Sequence, residues 1–148
     1  MTGRMNAMDD QIVRRIIGYK KLVGRFGQWP SFHDTEVVSI RLDRDQGEAL
    51  TSPVATFSIH VFNLNVAPDH IDRNNSVATL CFRDIEFFKM SDFNHQNAIL
   101  DLIISDRLVE RLKRRSFVVI FRLASGAEWS FECGEIEVLS VEAFKPSI

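Results

Sequence analysis

Apolar positions recur along this chain at two spacings, and the switch between them separates a helical start from a strand-rich remainder. From Asp9 to Val23, Ile12, Val13, Ile16, Ile17 and Val23 fall near helical spacing, with Asp9 or Asp10 placed to cap the first turn. The other face carries Arg14, Arg15, Lys20 and Lys21 and no acid. Gly24 and Gly27 supply stop signals, so the pattern predicts one amphipathic helix over about residues 9–24.

From Glu36 the period becomes two. Val38, Ile40 and Leu42 alternate with Ser39, Arg41 and Asp43, and after a turn region at 45–53 Ala55, Phe57, Ile59 and Val61 alternate with Thr56, Ser58 and His60. A polar connection from Asn63 to Asn75 leads to Ala78, Leu80 and Phe82, a run that continues toward Ile85, Phe87 and Phe88. Residues 94–115 fit both periods, and a short strand followed by a charged helix or loop over 106–115 satisfies both. Phe117 to Leu123, Trp129 to Cys133 and Ile136 to Ala143 then alternate again, separated by tight turns at Ser125-Gly126 and Gly134. The apolar face changes between Val138 and Leu139, which predicts a bulge near Ser140. Short connections favour antiparallel pairing of sequential strands. The expected fold is α+β: an N-terminal helix on a twisted, mainly antiparallel sheet of about six or seven strands ending in a C-terminal meander. No repeat or linker divides the 148 residues, so one domain with a β-rich core over about 28–144 is expected.

Composition adds three constraints. Twelve phenylalanines against one tyrosine favour a dry, rigid core, because phenylalanine has no polar handle. A net charge of −2 removes bulk electrostatics as a route to nucleic acid. Cys81 and Cys133 have neither redox nor zinc-ligand spacing and read as reduced core residues. No apolar run reaches the ~18 residues of a membrane span and the first ten residues hold no signal-like core, so no membrane association and a cytoplasmic location are expected.

Candidate chemistry concentrates in Trp29-Pro30-Ser31-Phe32-His33-Asp34, at the start of the first strand. His33 and Asp34 read either as an acid–base or metal-ligand pair, with His60, Asp69, His70, Asp72 or His95 as convergent partners, or as a corner. In the corner, Trp29 packs on the sheet, Pro30 fixes the turn, Asp34 accepts from backbone N–H groups and His33 donates to a neighbouring carbonyl or carboxylate. No HExxH, phosphate loop, nucleophile elbow or Cys–His signature accompanies them, which favours the corner, with no metal and no catalytic residue. Asp92-Phe93-Asn94-His95-Gln96-Asn97 suits a tight bend whose amides satisfy backbone groups. Between Leu123 and Ala143 there is no Lys or Arg, and Glu128, Glu132, Glu135 and Glu137 are expected to gather on one acidic strand face suited to a basic partner. Arg107, Arg111, Lys113, Arg114 and Arg115 form a basic run without interleaved aromatics, which reads as a solvated face.

The block from Trp29 to Asp34 before a strand, together with Phe93-Asn94-His95-Gln96-Asn97, Gly126 and Phe131-Glu132-Cys133, resembles the bacterial immunity protein family fifty over roughly Gly27 to Phe144. The resemblance implies a cytoplasmic, non-enzymatic protein of a polymorphic-toxin system that binds and blocks a cognate toxin, without a cofactor, as a monomer or homodimer. It carries Trp29, Pro30, Phe32, His33 and Asp34 over as the family's motif, which reads as shared scaffold rather than toxin contact. Two other functions compete: a small metal-dependent or acid–base enzyme using His33 and Asp34, and a sheet-based homo-oligomeric interaction module.

Overall fold

A computed structural model of the chain describes residues 8–44, 52–62, 75–109 and 114–144. Within them two helices, α1 (Asp10–Val13) and α2 (Tyr19–Phe26), precede eight strands. These are β1 (Glu36–Asp43), β2 (Val54–Phe62), β3 (Asn75–Arg83), β4 (Glu86–Lys89), β5 (Ile99–Val109), β6 (Arg114–Leu123), β7 (Glu128–Cys133) and β8 (Glu135–Ala143). The class is α+β, and most of it is sheet.

The single helix expected over 9–24 is two helices, because the chain between them leaves helical geometry to pair with a strand. Asp9 caps α1 by accepting from the Gln11 N–H at 2.8 Å, as its position suggested. Ile17 then donates to the Ile136 carbonyl and accepts from the Val138 N–H, forming a parallel bridge along β8. Gly18 allows this turn: its φ is +77°, and a Cβ there would sit 2.6 Å from the Val138 carbonyl oxygen. Two ladder bonds from Ile17 override a helical spacing that Ile16 and Ile17 fit equally well. Gly27 in left-handed geometry closes α2, its N–H bonding the Val23 carbonyl, while Gly24 lies inside the helix.

The strands form two four-stranded antiparallel sheets, ordered β1-β2-β3-β8 and β4-β7-β6-β5, where one sheet was expected. Their separation originates at a shared bend. β3 runs into β4 through Asp84, at φ +59°, and opposite it Gly134 joins β7 to β8 and donates to the Arg83 carbonyl. A Cβ on Gly134 would lie 3.0 Å from the Asp84 carboxylate. Two paired strands therefore turn together and change sheets, which is how corners of packed sheets are made. The C-terminal meander is correspondingly β5-β6-β7, and β8 leaves it to pair with β3. The bulge expected near Ser140 is present: Thr79 faces Ser140 and Leu80 faces Val138, leaving Leu139 unopposed.

Residues 99–109 form one long strand rather than a short strand with a helix or loop after it. Its charged end is held across the molecule, Asp106 by Arg15 at 2.6 Å and Arg107 by Glu132 at 2.7 Å. Arg111 and Lys113 lie outside the described residues, as do the turn at 45–51 and the connection at 63–74. The inward faces of the sheets meet in an aromatic core. Phe57 of β2 stacks on Phe121 of β6 with centroids 4.7 Å apart, and Phe82 meets Phe131 edge-on at 5.0 Å. Trp129 is fully buried and donates through Nε1 to the Ser91 carbonyl.

Candidate functional site

The block from Trp29 to Asp34 is a tight corner linking the sheets. Phe32 and Asp34 both adopt left-handed backbone geometry, at φ +63° and +66°. Aspartate tolerates this region; phenylalanine rarely does, and here the ring is carried into the core at 2% exposure, edge-on to Trp29 at 5.8 Å. Thr35 closes the turn by donating its hydroxyl and its N–H to the Phe32 carbonyl, at 2.6 and 3.1 Å. The backbone then zips onto the start of β5: Asp34 N–H to Ile99 O, Ile99 N–H to Thr35 O, and Val37 N–H to Asn97 O. Asn97, itself buried, donates its amide to the Val37 and Asn94 carbonyls and accepts from the Asn94 N–H. The 92–97 block therefore satisfies backbone groups, as its amides suggested.

His33 and Asp34 lie on the outside of this corner. The His33 ring bonds the Leu100 carbonyl through Nδ1 at 2.8 Å, and its Nε2 is 3.5 Å from the Asp34 carboxylate. Both side chains are about half exposed or more. Asp34 contributes through its backbone N–H and its left-handed conformation, where a carboxylate capping the strand was expected. The other candidate partners do not gather there. His60 lies on β2 against the Phe144 ring at 4.0 Å, His95 is exposed on the loop before β5, and Asp69, His70 and Asp72 are outside the described residues. Among the described residues no three His, Cys, Asp or Glu side chains are grouped to hold a metal ion.

The four glutamates do not share one face. Glu128 and Glu132 project from β7, whereas Glu135 and Glu137 follow the Gly134 bend onto the other sheet. There Arg83 clamps both, at 2.8 Å each, which closes the surface over buried Cys81. Burial pushes the Cys133 thiol up to about 12, with the Asp84 carboxylate acting in the same sense, and burial also raises that of Cys81. Both are free thiols held in protonated, unreactive form at neutral pH.

β4 forms the other end of the Glu128 and Glu132 surface; the apolar run expected to continue from the third strand through Ile85, Phe87 and Phe88 is a separate strand on the other sheet. Glu86 pairs directly with Glu132 across the β4-β7 ladder, and Lys89 with Ser130, so β4 has one extra residue between these pairs. Phe88 turns inward and stacks on Phe131 at 5.3 Å. Phe87 takes left-handed geometry at φ +57° and stands 68% exposed. Further along, Phe93 rests on Trp129 at 5.9 Å yet remains 48% exposed. The signal was available: two adjacent phenylalanines in a strand cannot both face the core.

In comparison with known families, the profile described as Immunity protein 50 matches residues 18–144. The chain belongs to the Immunity protein 50 family. Comparison with curated proteins and with solved structures returned no match. The match spans α2 and all eight strands, so the Phe32 corner, the Asp84–Gly134 bend and the β4 edge all lie inside the family's extent. Ile17, which bridges to β8 at Glu137 in this Immunity protein 50 member, lies one residue before it. No helix among the described residues is long and apolar enough to cross a membrane.

Proposed function

We propose that this immunity protein binds a cognate toxin domain in the bacterial cytoplasm and neutralises it stoichiometrically, without catalysis or cofactor. The observation that carries the reading is membership of the Immunity protein 50 family over 127 consecutive residues, 18 through 144. The corner residues support it from the other side. Trp29, Phe32 and Thr35 are engaged in packing and backbone bonds, and His33 and Asp34 sit in exposed positions beside a carbonyl, which suits a scaffold.

The test is growth rescue. The reading requires a toxin-like gene beside this one, whose product is induced alone and together with this chain. Growth is expected to be restored only with the chain present, and equal killing in both cases overturns the proposal. A His33→Ala, Asp34→Asn double variant is expected to protect as well as wild type. Loss of protection with an unchanged melting temperature would move the function to these two side chains and favour the acid–base reading.

A further inference from the structure

We propose that the free edge of β4, centred on Phe87 and flanked by Phe93, is the surface on which the toxin docks, and that the toxin presents there an apolar pocket bordered by lysine or arginine. This rests on the neutralising role proposed above and names the surface that performs it. Phe87 is the most exposed large hydrophobic residue among those described, at 68%. Its neighbour Phe88 already fills the inward position against Phe131, so the Phe87 ring has no use in the core of this chain. Aromatic side chains projecting from a rigid strand are the common anchors of protein interfaces, where they fill a pocket and exclude water.

Charge identifies the occupant. From Asp84 to Asp92 and along β7 the chain carries five carboxylates (Asp84, Glu86, Asp92, Glu128 and Glu132) and one lysine, Lys89, while Arg122 of β6 stands opposite Glu128 and Arg107 of β5 reaches Glu132. Glu86 faces Glu132 directly in the ladder, a like-charge pairing that costs stability in isolation. Arg107 from β5 reaches Glu132, but Glu86 and Glu128 make no ion pair among the described residues. A second copy of this chain would bring the same carboxylates to the contact, so self-association is disfavoured and a cationic partner is favoured. The extra residue at Phe87 also breaks the ladder, which hinders addition of a foreign strand and leaves side-chain docking as the mode of contact. Two other exposed apolar positions, Leu42 and Ile103, lack this asymmetry. Leu42 on β1 adjoins the Arg41–Asp43 pair, and Ile103 on β5 adjoins the Arg122–Asp101 pair.

The experiment measures equilibrium and kinetic binding of the purified chain to the purified, catalytically inactivated domain of the neighbouring toxin. Phe87→Ala is expected to weaken binding by roughly 30-fold or more, the loss typical of a truncated aromatic anchor. Glu86→Lys is expected to slow association about tenfold at low salt, with the difference shrinking as salt is added. Leu42→Ala on the far edge is expected to bind within about twofold of wild type, and thermal unfolding checks that each variant is folded. If wild type binds and both β4 variants bind equally well, docking lies elsewhere and the neutralising role stands. If wild type does not bind, both proposals fall. A wild-type dimer that Phe87→Ala converts to monomer would make this a self-association face and overturn the docking proposal.

Discussion

Two phenylalanines in this protein occupy the same unfavourable region of backbone space and meet opposite fates. Phe32 has φ +63° and is 2% exposed; Phe87 has φ +57° and is 68% exposed. A bulky residue held there costs on the order of 1–3 kcal/mol, so each position needs compensation. At Phe32 it is visible: the ring enters the core beside Trp29, Thr35 bonds the Phe32 carbonyl twice, and Asn97 ties the corner to both sheets. At Phe87 the chain offers only a short edge strand with opposed carboxylates. Strain offset locally marks scaffold. Strain left without local compensation marks a place whose use lies outside the folded monomer.

The contrast can be broken most directly by truncating each ring. Phe32→Ala is expected to lower unfolding free energy by about 3–5 kcal/mol, whereas Phe87→Ala should stay within about 0.5 kcal/mol. Equal losses in urea denaturation would end the distinction. Next in size, Asn97→Ala leaves the buried Val37 carbonyl without its amide donor and should destabilise by roughly 2 kcal/mol in the same assay. Thr35→Val keeps shape but removes the hydroxyl bond to the Phe32 carbonyl, with an expected loss of about 1 kcal/mol. The smallest effect has the opposite sign. Phe87→Gly relieves the left-handed strain, is partly offset by glycine's entropy, and should raise stability by about 0.5–1 kcal/mol while weakening toxin binding.

The strands were legible because one face of each is buried, and burial writes period two into residues such as Ala55-Phe57-Ile59 and Trp129-Phe131-Cys133. The existence of two sheets was not, since alternation reports which face is covered and not which strand lies beside it. The acidic segment from Glu128 to Glu137 shows the consequence: its lack of basic residues is real, but Gly134 sends its second half to the other sheet, where Arg83 neutralises it. At the corner, a hydrogen bond from His33 to a carbonyl or carboxylate was readable, yet the left-handed Phe32 was not, because no local signal asks a phenylalanine to adopt it. The long β5 was hidden by Asp106 and Arg107, charges that resemble a loop until Arg15 and Glu132 are placed opposite them.

The parallel bridge at Ile17 has a consequence for the behaviour of the protein in crowded solution. β8 is the last strand of its sheet, and the Ile136 carbonyl and Val138 N–H would be open on its rim without Ile17. Such a rim recruits strands from other molecules and seeds fibrils. This cap stands one residue before the span matched by the family. Ile17→Pro removes the N–H that bonds the Ile136 carbonyl while leaving buried Val13 and Ile16 in the chain, and is therefore expected to form thioflavin-positive aggregates faster than wild type at the same concentration. In the wild-type chain the two backbone groups that Ile17 occupies on β8 are withheld from strand addition by another molecule.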